Sequence, residues 1–201
     1  MKTLLKKLIL STSLLGLLAL PALAECPRGD LDTRYCDVNE DLVADTPTDS
    51  SKWLDPNTLI FAYTPVEDPS VYRGVWADFL DNMEKVTGKK VIFFPVQSNA
   101  AQIEAMRSGR LHVAGFNTGS NPLAVNCAGF ESFAIMASLT GHFGYEMEII
   151  TYPGSGISKV EDIRGKTLAF TSPTSNSGKK APSAILKSKF DMIADRDFEA
   201  V

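Results

Sequence analysis

Thr167-Leu168-Ala169-Phe170-Thr171-Ser172-Pro173-Thr174-Ser175-Asn176-Ser177-Gly178 is the stretch on which the reading of this chain turns. The apolar run at 167–170 predicts a buried strand. Ala181-Pro182-Ser183-Ala184-Ile185-Leu186-Lys187, just beyond, predicts a helix. A strand that passes through hydroxyl and amide side chains into a helix start can hold an anion. The first backbone N–H groups of a helix lack intrahelical partners, and the helix dipole is positive there. Ser, Thr and Asn add side-chain donors, and no carboxylate interrupts the segment.

Upstream, strand and helix alternate. Residues 58–63 (Thr-Leu-Ile-Phe-Ala-Tyr) predict a strand. Val71, Val75, Phe79, Met83 and Val86 recur at helical spacing, and Gly88 closes that helix. Residues 90–96 predict a second strand, 100–108 a helix stopped by Gly109, 111–116 a third strand and 121–128 a short helix. Residues 133–139 and 145–152 read as two more strands, and 158–163 as a helical turn. This alternation predicts an α/β fold with a mostly parallel sheet and helices on both faces. In such sheets ligands sit beyond the carboxyl ends of the strands. Three unusual loops fall there: Tyr63-Thr64-Pro65, Asn117-Thr118-Gly119-Ser120 and the Thr174 loop.

The start of the chain bears on its compartment. Lys2, Lys6 and Lys7 accompany an apolar run at 8–20, and Ala22-Leu23-Ala24 fits a small-x-small cleavage signal. Residues 1–24 are expected to be a signal peptide cut after Ala24, and the apolar run is short for a membrane span. The product is expected to be soluble and exported, into the periplasm if the cell is Gram-negative. Its hydrophobic fraction of 44% and charged fraction of 22% are those of a globular protein. Loss of Lys2, Lys6 and Lys7 takes the formal charge from −4 to −7. An acidic chain with no basic run is a poor nucleic-acid binder, yet a local cradle of neutral donors still suits a small anion.

Export permits a disulfide. Cys26 and Cys36 lie close enough in sequence to close a small loop, which leaves Cys127 as a small buried hydrophobe; a bridge from Cys127 to either of the others stays open. Residues 25–56 form an acidic Cys/Asp-rich leader. Within it, Asp37, Asn39, Asp41 and Asp45 place oxygen side chains at positions 1, 3, 5 and 9 of one run, the spacing of a Ca²⁺ loop. The match is partial: Leu42 stands where the sharp turn wants Gly, and no Glu follows at position 12. Structural Ca²⁺ and a solvated acidic leader are the two readings; no other cofactor is expected.

Several of these segments occur in one order. Phe61-Ala62-Tyr63-Thr64-Pro65, Gly88-Lys89-Lys90-Val91, Gly109-Arg110-Leu111-His112-Val113-Ala114-Gly115-Phe116 and the Thr171–Gly178 segment follow the signal peptide. The chain resembles the PhnD-like phosphate/phosphite/phosphonate-binding proteins of ABC importers, from about Asp55 to its end. The resemblance implies a two-lobed, hinged periplasmic binding protein fold with the ligand between lobes. Residues 57–150 would form the first α/β lobe and 151–201 part of the second. It also implies a phosphorus oxyanion ligand, held by Thr174, Ser175, Asn176 and Ser177, with Tyr63, Asn117 and Thr118 contributing from the first lobe. The partner it implies is an inner-membrane ABC permease, and a monomer is expected. Relatives continue for about another hundred residues, so the second lobe is expected to be incomplete, its stretch 191–201 without a packed terminus. A truncated, non-functional fragment is therefore one alternative to the importer reading, and a ligand-sensing domain for a membrane signalling partner is another.

Blander readings stand beside these. A Ser/Thr/Asn run before a helix is often only a cap and turn. His112 alternates with apolar neighbours and reads as a packed histidine, while His142 lies between Gly141 and Gly144 near the expected hinge. Trp53 and Trp76 read as packing residues. An enzyme would need a nucleophile with its base, paired carboxylates or a metal triad; no such constellation is present in the sequence, so binding without catalysis is expected.

Overall fold

The computed structural model describes residues 26–66 and 68–201; the expected signal peptide at 1–24 lies outside the described residues. Among the described residues no helix is long and apolar enough to cross a membrane.

Strand β1 (Thr58–Tyr63) sits at the centre of the first sheet. It pairs in parallel with β2 (Lys90–Phe93) on one side and β3 (Val113–Gly115) on the other. Its side chains alternate between two cores, as a pleated strand requires. Leu59, Phe61 and Tyr63 pack with Val91, Phe93, Trp76 and Leu80. Ile60 and Ala62 pack with Val96, Ala105 and Leu111. A central strand buried on both faces reads as a continuous apolar run, which is why 58–63 was legible.

Two helices, α1 (Pro69–Val75) and α2 (Ala77–Thr87), stand where periodicity predicts one. Trp76 marks the joint, its ring held 5.1 Å from Phe61 and 4.8 Å from Tyr63 between centroids. Gly88 closes α2 at φ 67°, donating its N–H to the Glu84 carbonyl. Helix α3 (Asn99–Arg107) starts at Ser98, whose Oγ accepts the Ala101 N–H, and α4 (Asn121–Ala128) carries Pro122 in its first turn. His112 extends the sheet: its Nδ1 accepts the Ile60 N–H at 3.0 Å and its N–H donates to the Ile60 carbonyl at 3.1 Å.

A second unit holds β4 (Thr167–Leu168) and β5 (Glu199–Ala200), paired in parallel, with α5 (Ala181–Phe190) packed over a core of Ile163, Leu186, Met192 and Phe198. The end of the chain is therefore packed, contrary to expectation. Met192 is 1% and Phe198 4% exposed, because the Phe190-Asp191-Met192 turn brings the chain back alongside β4.

Four further expectations are corrected. Residues 133–139 and 145–152 are not strands. A strand exists only within a ladder, and no described residue pairs with these, so Phe133, Ile135, Leu139, Ile150 and Tyr152 stand exposed. Cys127 is exposed, because α4 turns Ala124 and Ala128 inward and Cys127 falls off that face. Trp53 is also exposed, donating its indole N–H to the Pro47 carbonyl at 2.6 Å. The acidic leader is not simply solvated. Cys26 and Cys36 are joined, and Arg34 donates to the carbonyls of Arg107 and Cys127, at the carboxyl ends of α3 and α4. A guanidinium there satisfies orphan carbonyls and opposes the negative end of two dipoles.

Two outcomes test this second unit. Leu186→Ala removes a side chain 1% exposed and is expected to cost about 2–5 kcal/mol by urea denaturation; a loss well below that range contradicts the packing. Asp197 accepts the Ile193 N–H and pairs with Arg196 and Arg164, which together hold its carboxyl below the ordinary 3.8. The unfolded chain thus protonates Asp197 first as pH falls. The contribution is present above that ordinary value and is lost as pH drops through the depressed folded one. Asp197→Asn is expected to flatten the acid limb of the urea midpoint against pH, and an unchanged limb contradicts it.

Candidate functional site

The polar loops converge because β1 and β3 run in parallel with Tyr63 opposite Gly115. Thr64 and Asn117 therefore leave the sheet side by side, and the Thr64 N–H donates to the Gly115 carbonyl at 2.9 Å. Gly115 has no substitute here: a Cβ would run into the Tyr63 ring. Gln102, fully buried on α3, donates its amide to the carbonyls of Ala62 and Gly115 and fastens the helix to this end of the sheet.

Side chains from both sheets meet beyond that edge. Asn117 Nδ2 donates to Thr64 Oγ1 at 3.1 Å, and Thr64 Oγ1 donates to Asn99 Oδ1 at 2.5 Å. Asn99, at the first residue of α3, donates to Thr174 Oγ1 at 2.7 Å and to Ser172 Oγ at 3.4 Å. The Lys180 ammonium donates to the Gly119 carbonyl at 2.6 Å. The loops themselves touch: a Cβ on Gly119 would strike the Thr174 carbonyl and lie 2.7 Å from the Asn176 nitrogen. Thr64 and Asn99 are 3% and 6% exposed, so these bonds form away from water, where an unmade one is costly.

The cradle is a single π-helical turn, Asn176–Lys180, leading into α5. Ser175 caps it, its Oγ accepting the Gly178 N–H at 3.1 Å. Ser177 Oγ lies 2.8 Å from the Tyr145 hydroxyl. Gly178 is required, since a Cβ would collide with the Thr171 side chain.

The sequence-predicted residues divide accordingly. Asn117 and Thr174 are joined through Thr64 and Asn99, and Ser175 and Ser177 line the same turn. Asn176 and Thr118 are exposed at its margin. Tyr63 packs its ring on Trp76. His142 is exposed in a turn, its Nδ1 accepting the Gly144 N–H, away from this cluster. Thr64 and Ser172 lie in loops the sequence marks but without a role assigned to them, and Asn99, Tyr145 and Lys180 lie outside those loops. Ser98-Asn99 follows β2 as Thr174-Ser175 follows β4, so each strand-to-helix junction carried the same signal.

The Asp37 loop closes on itself. Asp37, 3% exposed, accepts the N–H groups of Asp41 and Leu42, while Asp45 accepts that of Val38 and Asn39 Nδ2 donates to Asp41. Among the described residues no group of three or more His, Cys, Asp or Glu side chains is arranged to hold a metal ion. The carboxylates expected to ligate Ca²⁺ accept hydrogen bonds from the backbone of their own loop.

Two parallel sheets facing each other through polar loops define a two-lobed α/β binding-protein fold. Residues 61–201 match the family model described as ABC transporter, phosphonate, periplasmic substrate-binding protein, and the chain belongs to that family. It is 29% identical over 145 residues to the Phosphonates-binding periplasmic protein of Escherichia coli strain K12, spanning 70% of this chain and 43% of that protein. It is 28% identical over 144 residues to the Phosphate-import protein PhnD of Mycolicibacterium smegmatis, spanning 70% of this chain and 45% of that one. The fold matches a crystal structure of a binding protein component of an ABC phosphonate transporter from Pseudomonas aeruginosa, with TM-score 0.66 and 25% identity, over 73% of this chain and 50% of that one. The chain thus spans about half the length of the relatives it matches.

Gly119→Ala tests the contact between lobes. It is expected to part the two loops and speed amide hydrogen exchange at residues 172–178. Unchanged exchange there contradicts the close approach.

Proposed function

We propose that this chain is substrate-binding machinery of a periplasmic ABC importer that holds a phosphorus oxyanion between its lobes and presents it to a membrane permease. One observation carries the reading. The junction of the lobes is built from neutral hydroxyls and amides (Thr64, Asn99, Asn117, Ser172, Thr174), none of them a carboxylate, beside a helix start. Such a site favours an acceptor-rich, fully ionised oxyanion without requiring a cation. Family membership supports a phosphorus oxyanion, the relatives being described by phosphonate or phosphate. Binding is recognition without chemistry: the anion sheds water, accepts hydrogen bonds and draws the lobes together.

The test is a thermal-shift screen of phosphate, phosphite, methylphosphonate, aminoethylphosphonate and sulfate against the 201-residue chain. A phosphorus anion at a hundred times its Kd is expected to add about 2.7 kcal/mol. Ser175→Ala is expected to weaken binding about tenfold or more, the scale of one hydrogen bond to a charged acceptor. A well-folded chain that responds to none of the phosphorus anions sinks the reading.

A further inference from the structure

The hydrogen bonds between Asn117 and Thr174 have a fixed direction, and the backbone sets it. The N–H groups of Gly119 and Ser120 both point at one atom of the Asn117 side chain, at 3.0 and 2.9 Å. A backbone N–H can only donate, so that atom is the carbonyl oxygen Oδ1, and the amide nitrogen faces Thr64. Thr64 Oγ1 accepts from Asn117 and so gives its own proton to Asn99 Oδ1. The orientation of Asn99 is fixed in turn: its Nδ2 faces Thr174 and Ser172, and both hydroxyl oxygens accept.

A proton count follows. Thr174 and Ser172 each accept from the same amide and each retain one proton to donate. The two oxygens lie 3.3 Å apart, so at most one proton is used between them. At least one hydroxyl proton is left for an outside acceptor. We propose that Asn117, Thr64 and Asn99 form a polarity relay that presets the cradle as a donor and thereby selects the most fully deprotonated form of the ligand. These three are positioning residues; they act through Ser172 and Thr174. An oxyanion oxygen accepts that proton, whereas a P–OH group would have to donate into the one remaining lone pair of an oxygen that already accepts from Asn99 and, in one of the two hydroxyls, from its neighbour as well. The proposal rests on the phosphorus-oxyanion reading above and adds to it a residue set and a preferred ionisation state.

The experiment is calorimetric titration of the full chain with methylphosphonate and, separately, inorganic phosphate, at pH values on both sides of each ligand's own second ionisation. The unmodified chain is expected to bind more tightly as the ligand loses its second proton. Thr64→Val, close in shape and without the hydroxyl, frees the Asn99 amide to turn over, so that Thr174 can accept from a P–OH. Its affinity for the dianion is expected to fall about tenfold or more, the scale of one hydrogen bond to a charged acceptor, with a smaller loss for the monoanion. The pH dependence therefore flattens. Thr64→Ser is expected to restore both affinity and slope. Should Thr64→Val fail to fold, Asn117→Asp serves: it keeps the acceptor for Gly119 and Ser120 but draws the Thr64 proton away from Asn99, and the same flattening is expected. A folded variant that retains the unmodified slope overturns the relay while leaving the binding reading intact. Failure of the unmodified chain to bind either anion overturns that reading and the relay with it.

Discussion

Parallel pairing of Tyr63 with Gly115 is the constraint on which the site depends. A parallel ladder delivers successive strands to the same edge, so the residues after β1 and β3 emerge together. Thr64 and Asn117 meet for that reason, although 53 residues separate them. Helix α3 begins at that edge and supplies Asn99, and Gln102 ties the same helix to the carbonyls at the end of the ladder. In an antiparallel arrangement Thr64 and Asn117 would lie at opposite ends of the sheet. Position in the topology, more than the chemistry of any one residue, turns scattered hydroxyls and amides into a cluster.

The cluster would also reconcile an acidic chain with the anionic ligand proposed for it. Its recognition groups are neutral, so their protons act over one bond length and are insensitive to the net charge of −4. The nearby cation Lys180 is already engaged with the Gly119 carbonyl, where it holds the loops of the two lobes together. Its place in the site is mechanical as much as electrostatic.

Much of this was legible from local sequence. Residues 58–63 announced a strand, 121–128 a helix, and 171–178 a polar turn at a helix start. Asn117 was found because it follows a strand. Thr64 and Asn99 were missed because their roles come from partners distant in sequence: Asn99 answers to Thr174, 75 residues on. The apolar residues at 133–139 and 145–152 describe what those segments could do given a neighbouring strand, but pairing is a property of two segments and no single segment encodes it. The same holds for the end of the chain, where Met192 and Phe198 looked isolated until the Asp191 turn brought them onto Ile163 and Leu186.

The connection between the lobes carries a consequence of its own. Residues 129–150 contain neither helix nor paired strand, yet Tyr145 within them meets the Ser177 hydroxyl. Asn99 and Lys180 cross the junction directly. A ligand bound as proposed, with bonds to both lobes, would join these contacts as a bivalent bridge. Its apparent affinity would then reflect how firmly the lobes already hold each other as well as the chemistry of the cradle.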